Sequence, residues 1–190
     1  TTDQIELVNE LSQDIFGGSF DLDHYRNNAY ECGLSGNYTF TVVNPIGGDE
    51  TTEAPLWVYL HGGGSGYFDK NGNYFGVNNQ TQDTWNHEET LDDMLDMLAA
   101  RMLDDNDQSE DATLTRRVLE GYRLVAVAMC DHDLYSGLGT PYLNNPNPGA
   151  EVNGLQATMA AVDYTVANYP TTHVFAHGTS AGSIGVFNMS

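Results

Sequence analysis

The stretch that most restricts this chain is Thr172-His173-Val174-Phe175-Ala176-His177-Gly178-Thr179-Ser180-Ala181-Gly182-Ser183, where a β-rich apolar run meets a GxSxG turn. The turn passes at once into the helix-compatible Ile184-Gly185-Val186-Phe187-Asn188-Met189. A strand that turns directly into a helix leaves no room for side chains two positions either side of the turn, and Gly178 and Gly182 fill those places. The serine between them is pushed into a strained backbone with its hydroxyl exposed. The amide of Ala181 then points from the start of a helix, where an N–H and the positive end of the dipole stabilise developing negative charge. The pattern singles out Ser180 as a nucleophile and the Ala181 amide as an oxyanion donor.

A second glycine cluster stands upstream. The apolar strand Leu56-Trp57-Val58-Tyr59-Leu60 runs straight into His61-Gly62-Gly63-Gly64-Ser65-Gly66. Consecutive glycines let a backbone turn its amides toward a substrate oxygen without side chains in the way, so Gly63 and Gly64 are the other expected oxyanion donors. A phosphate cradle is a poor alternative, because no Gly-Lys-Ser/Thr follows and no GxGxxG register fits.

The elements between these two points alternate. Tyr38 to Val43 is β-branched and alternating, and Asn44-Pro45 with Gly47-Gly48 ends it. With the strand 56–60 a short polar link away, the pair reads as a hairpin at the antiparallel edge of a mixed sheet. Leu91, Met94, Leu95, Leu98 and Met102 mark one helix with one buried stripe, and its acidic side reads as a solvated face. A second helix spans about 110–120, with Gly121 as its stop. Arg123 to Cys130 is nearly continuous in apolar residues, as a strand covered on both faces should be. Val152, Leu155, Met159, Val162 and Val166 mark a helix halted before Pro170. Residues 1–35 carry too weak a period to assign. Strand, helix, strand, helix, strand implies an α/β domain whose central sheet is mostly parallel, with right-handed crossovers and helices on both faces.

Charge narrows the partners. The chain has 190 residues, about 40% of them hydrophobic, enough for one domain core. It carries 27 acids against 6 Lys plus Arg, a net charge of −21. Such a field repels nucleic-acid phosphate and anionic membrane. No run of apolar residues is long enough for a membrane span. Acidity with many Asn, Asp, Thr and Gly points to an extracellular protein, secreted or periplasmic, or to a salt-tolerant one. Cys32 and Cys130 fit one disulfide closing a long loop, two buried thiols, or partners outside the chain; no CxxC supports a thiolate zinc site. Asp69, Asn71 and Asn73 offer oxygens at alternate positions, but the acid that closes a calcium loop is missing, so they read as an Asx turn. Asp105, Asp107, Ser109 and Asp111 lack the mid-loop glycine. No metal and no cofactor is expected.

Taken together, Cys32-Gly33-Leu34-Ser35-Gly36-Asn37-Tyr38, the Leu60–Gly66 turn, Cys130-Asp131-His132-Asp133-Leu134-Tyr135-Ser136-Gly137 and Gly178–Gly182 followed by Gly185-Val186-Phe187-Asn188 resemble the α/β-hydrolase fold. Within it the chain resembles the pectin acetylesterase and Notum family. That family has Glu, two glycines and Trp in the first turn; here His61 precedes three glycines and no Trp follows, which bears on the shape of an acyl pocket. The HGGG form is shared with hormone-sensitive-lipase-like esterases, the rival assignment, in which the interval from glycines to serine is shorter. The resemblance implies hydrolysis of an ester, carried by a small molecule or a carbohydrate, through an acyl-enzyme at Ser180. It also implies the order Ser, then Asp or Glu, then His. The ten residues after Ser180 contain neither an acid nor a histidine, so the expectation is that residues 1–190 form the N-terminal portion of a longer catalytic domain. A convergent set drawn from His61, His132, His173 or His177 with Asp131 or Asp133 is the other way to complete the site. Two further classes stay open: a catalytically silent binding module and a hydrolase acting on peptide bonds.

Overall fold

A computed structural model describes residues 4–15, 18–34, 36–77, 91–92, 94–96 and 109–190. Six strands form one mixed sheet in the order β1 (Ile5–Ile15), β2 (Gly18–Glu31), β3 (Asn37–Val43), β7 (Arg123–Val127), β4 (Ala54–Leu60), β10 (Thr171–Gly178). Two small ribbons, β5 (Gly66–Phe68) with β6 (Tyr74–Gly76) and β8 (Thr140–Pro141) with β9 (Glu151–Val152), stand beside it. β7, β4 and β10 run parallel, while β1, β2 and β3 are antiparallel to their neighbours. The sheet is therefore mixed rather than mostly parallel.

The period of two along each central strand divides the core. Phe40, Val42, Leu56, Val58, Leu60, Val125 and Val127 face one side, and Ala161, Val162 and Ala181 cover them from α2 (Gly154–Asn168) and α3 (Ala181–Met189). Val43, Tyr59, Leu124 and Ala126 face the other side, under Leu114 and Val118 of α1 (Glu110–Leu119) and Met94. Helices thus cover both faces, as the strand–helix alternation implied. Each fully buried Val, Leu or Phe contributes roughly 1.5–3 kcal/mol by leaving water. α1 begins where expected: the Ser109 hydroxyl accepts the Ala112 N–H at 3.3 Å, and Gly121 at φ 92° ends the helix. Leu91 and residues 94–96 are helical, while Leu98 and Met102 lie outside the described residues.

Two further sequence expectations are corrected, and the unassigned opening stretch takes a definite form. First, β3 and β4 are not a hairpin, because β7 lies between them, antiparallel to β3 and parallel to β4. The acidic link 44–53 crosses the end of β7 instead, wrapped around the fully buried Arg123. The Arg123 guanidinium donates to Asn44 Oδ1 at 2.8 Å, to the carbonyls of Asp49 and Thr52 at 2.9 Å each, and to Pro170 O at 3.1 Å. Four oxygens from the flanking connections converge on one rigid fork, which fixes where β4 and β10 start relative to β7.

Second, the opening residues form a long hairpin, β1 and β2. β2 is buried on both faces with polar residues among the apolar ones, so no clean period shows. His24 bonds Thr41 Oγ1 at 2.8 Å, and the Tyr169 hydroxyl donates to Asp23 at 2.7 Å while meeting the Tyr25 hydroxyl at 2.6 Å.

Third, α2 exists but buries a different face. Gly154, Ala157, Thr158, Ala161, Val162 and Thr165 lie inward, whereas Met159 and Val166 are 38% and 43% exposed. Small residues let the helix sit close to the sheet. The two threonines spend their hydroxyls on the carbonyls of Gly154 and Ala161, at 2.7 and 2.8 Å.

Candidate active site

Ser180 stands at the turn from β10 into α3, exposed, with φ 51° and ψ −112°. A non-glycine residue in this region costs roughly 1–3 kcal/mol and persists only where its surroundings over-determine it. Here they do. Thr179 N–H donates to Leu60 O at 3.2 Å, Gly182 N–H to Thr179 O at 2.8 Å, and Ser183 N–H to Ser180 O at 3.1 Å. A Cβ on Gly178 would lie 2.2 Å from Gly182 O, and one on Gly182 would lie 1.8 Å from Leu60 O. Both glycines are obligatory, as the sequence argument required. Ala181, 3% exposed, opens α3, and its N–H belongs to the first turn, where amides lack an intrahelical acceptor.

The glycine turn after β4 reaches the same place. A Cβ on Gly62 would lie 3.0 Å from Thr179 O and 3.1 Å from Ser180 Cβ, so the backbone of Gly62 lies against the serine turn. Gly63 and Gly64 follow with φ 143° and 88°, values that L side chains rarely adopt. The sequence singles out Gly63 and Gly64; the structure adds Gly62, whose backbone lies against Ser180.

A scaffold behind the turn holds it. Gly66 N–H donates to His132 O at 3.0 Å, and Val77 N–H to Ser65 O at 2.8 Å. His132 is fully buried in a left-handed conformation at φ 52°, and its Nδ1 bonds the Tyr74 hydroxyl. His61 Nδ1 lies 2.7 Å from Gly62 O. Burial pushes the His61 imidazole down to about 4; burial, then the neighbouring His61, does the same to His132. Both rings are neutral at neutral pH and serve as hydrogen-bonding struts.

The two acids of the segment are equally committed. Asp131 accepts from Tyr38 Oη and Asn153 N–H, each at 2.8 Å, and from Gly33 N–H. Asp133 accepts from Tyr135, Gly137 and Gly154 N–H groups, at 3.0, 2.6 and 3.0 Å. They tie the end of β7 to the start of α2 and to the turn before β3. Burial, then the nearby Asp133, raises Asp131 to about 7, and burial raises Asp133 as well. Among the described residues no imidazole hydrogen-bonds the Ser180 hydroxyl. His173 is exposed and His177 half-buried along β10; His177 lies edge-on to Trp57 with ring centroids 5.7 Å apart.

The Asx reading of the loop holds. Asp69 Oδ1 accepts the N–H groups of Asn71 and Asn73 at 2.8 and 2.9 Å, and these bonds lower its pKa. Ser109 caps α1, and Asp105 and Asp107 lie outside the described residues. Cys32 and Cys130 are joined in a disulfide across a separation of 98 residues, which in the chain-entropy account stabilises by about 4–5 kcal/mol. Among the described residues no helix is long and apolar enough to cross a membrane.

No protein-family model matches the chain, and no curated protein matches it. Among solved structures it aligns with one described as the crystal structure of a thermostable esterase, at 14% identity and a TM-score of 0.38. The alignment covers 98% of this chain and 37% of that one, so the chain spans little more than a third of that protein's length. A likeness this loose does not establish a shared fold.

Proposed function

We propose that the protein is a serine hydrolase of the α/β-hydrolase fold, with Ser180 as the nucleophile that takes the acyl group. The observation that carries this reading is the backbone of Ser180: φ 51° and ψ −112° at a strand-to-helix turn whose flanking glycines admit no side chain. A strained, exposed serine in such a turn suits attack on a carbonyl, since the hydroxyl is presented beside the Ala181 amide at the helix N-terminus. Ser180 Oγ adds to the ester carbonyl, its proton passes to a base, and the amide of Ala181 with those of Gly63 and Gly64 stabilises the oxyanion. Collapse expels the alcohol, which takes up the proton, and water then releases the acid. The histidine and acid that complete the set are assigned outside the described residues.

More narrowly, the reading is a carboxylesterase of the pectin acetylesterase and Notum type, acting on an acetyl or other acyl ester of a carbohydrate. The sequence segments quoted above support it. The Cys32–Cys130 disulfide supports a secreted or periplasmic location, because such bonds persist in oxidising compartments. The test uses the full natural polypeptide and a fluorophosphonate probe, followed by peptide mapping. Label is expected on Ser180 and lost in Ser180→Ala; label that persists in that variant sinks the assignment. Comparing p-nitrophenyl acetate with longer acyl chains separates the acetylesterase reading from a lipase-like one.

A further inference from the structure

The segment that follows β7 is held in a backbone its side chains do not favour. Among the described residues the left-handed non-glycine positions are His132, Leu134, Tyr135, Asn144 and Ser180, so three of them crowd into residues 132–135, at φ 52°, 60° and 54°. Bulky residues persist in this region only where their surroundings over-determine it, and such positions gather at functional sites. Asp133 supplies the restraint, since its carboxylate accepts the N–H groups of Tyr135, Gly137 and Gly154.

Both ends of this segment grip the glycine turn. His132 O accepts the N–H of Gly66, at the far end of the turn, at 3.0 Å. At the near end the Tyr135 hydroxyl lies between two carbonyls, 3.2 Å from Val127 O and 3.4 Å from His61 O. A hydroxyl has one proton to donate, and here the two oxygens share it, so the group bridges the last residue of β7 to the first of the turn. The His61 carbonyl and the Gly62 N–H belong to one planar peptide, so holding that oxygen fixes the plane from which the turn sets out.

The same tyrosine meets the serine elbow. A Cβ on Gly185, in α3, would lie 2.9 Å from both Cβ and Cδ2 of Tyr135, and Asn188 Nδ2 donates to Tyr135 O at 3.4 Å. Tyr135 is 0% exposed, so it acts through its neighbours and not on a substrate. The oxyanion amides come from two pieces of chain, Gly63 and Gly64 on the turn and Ala181 on α3, and a misplacement of about 1 Å between such groups costs roughly a hundredfold in rate. Tyr135 touches both pieces.

We propose that Tyr135 is a positioning residue for acyl transfer at Ser180: its hydroxyl and ring set the glycine turn against α3 so that the amides of Gly63, Gly64 and Ala181 converge on one oxyanion. This rests on the reading of Ser180 as the nucleophile. The hydroxyl itself transfers no proton.

The test uses the full natural polypeptide and p-nitrophenyl acetate. Tyr135→Phe keeps the ring and removes the bridge; kcat is expected to fall roughly tenfold, the size of one hydrogen bond, with KM nearly unchanged, because oxyanion amides act in the transition state. The pH profile of kcat/KM should keep its shape. In a Gly63→Ala background the same substitution should cost less than it does alone, since the two act through one set of amides, whereas a tyrosine that only supports the fold costs as much in either background. Should Tyr135→Phe not fold, Tyr74→Phe loosens the other grip by freeing the His132 ring; the same loss of kcat is expected, and full kcat there overturns the proposal. Unchanged kcat in a folded Tyr135→Phe, equal costs in the two backgrounds, or a displaced pH profile each overturns it as well, and if Ser180→Ala still abolishes hydrolysis the nucleophile stands. Absence of Ser180-dependent hydrolysis sinks the reading of Ser180, and the role of Tyr135 with it.

Discussion

Ser180 keeps its left-handed backbone because the residues around it permit nothing else, and this can be measured without assuming any activity. Gly178→Ala places a Cβ 2.2 Å from the carbonyl oxygen of Gly182, so the crossing of strand and helix must open. The expected loss is roughly 3 kcal/mol or more, in the upper range for single substitutions. Urea unfolding checks it, and an unchanged midpoint means a looser crossing. If the glycine turn supplies oxyanion amides, Gly63→Ala, at φ 143°, should lower kcat roughly a hundredfold while leaving KM nearly unchanged, the signature of a donor used only in the transition state. Equal kcat in a folded variant places the donors elsewhere. Ser180, Gly178 and Gly182 were legible because their constraint is local and steric. The Tyr74–His132 pair behind the turn was not, since the two residues are 58 positions apart and only the finished fold brings them together. The contact of Gly62 with the serine turn was not legible for a similar reason: three consecutive glycines look alike in sequence.

At the scale of elements, β7, β10 and α1 were readable because each has a single dominant pattern, an unbroken apolar run or a capped amphipathic turn. The β1–β2 hairpin was not, because Asp23, His24 and Asn27 are buried within it and break the alternation. α2 misled because Met159 and Val166 of its apolar stripe point away from the sheet while smaller residues face it. The connection 44–53 suggested a hairpin by its shortness, while the residue that decides its path, Arg123, begins a strand 70 residues further on. Arg123→Met leaves the buried Asn44 Oδ1 and the carbonyl of Thr52 without the fork's donors, while Pro170 O keeps the Ala54 N–H and Asp49 O the Thr52 N–H; it should cost about 3 kcal/mol, read as a fall in the thermal midpoint, and a midpoint within a degree or so means that water replaces the fork.

The end of β7 makes a second, pH-dependent prediction. Asp131, raised to about 7, holds a proton in the folded protein that the unfolded chain releases; its stabilisation is present below the ordinary carboxylate value and lost as pH rises through about 7. His61 and His132, lowered to about 4, act in the opposite sense, contributing stability above the ordinary imidazole value that is lost as pH falls through about 4. Between about pH 5 and 6 the two imidazoles of the unfolded chain take up more protons than Asp131 holds in the native state, so these groups together make stability rise with pH. Asp131→Asn removes the opposing contribution and should steepen that rise by about one proton while lowering stability at every pH, since one hydrogen-bond acceptor is lost. Urea unfolding across the window measures the slope; an unchanged slope places the proton on another group.

For the whole molecule, the open side of β10 governs behaviour in solution. The strand pairs with β4 alone among the described residues. Val174 and Phe175 on it are 50% and 43% exposed, and Ile184 and Phe187 on the following helix are 44% and 78% exposed. A bare strand edge beside apolar surface is a template for pairing with another chain, and it lacks the devices that blunt edges: among residues 171–178 there is no Lys, no Pro and no acid. The net charge of −21 opposes association at long range, but that repulsion is screened within about 8 Å at physiological salt, whereas strand pairing acts at contact. Residues 1–190 expressed alone should therefore be largely monomeric at low salt and associate as salt and concentration rise. Val174→Lys, which sets a charge on the exposed apolar position nearest the middle of the edge, should shift the equilibrium back to monomer without lowering the thermal midpoint, because Val174 is half in water already. Sedimentation velocity across salt and protein concentration decides the matter. A chain that stays monomeric in high salt, or one whose association ignores Val174→Lys, would show that β10 is not the surface that seeks a partner.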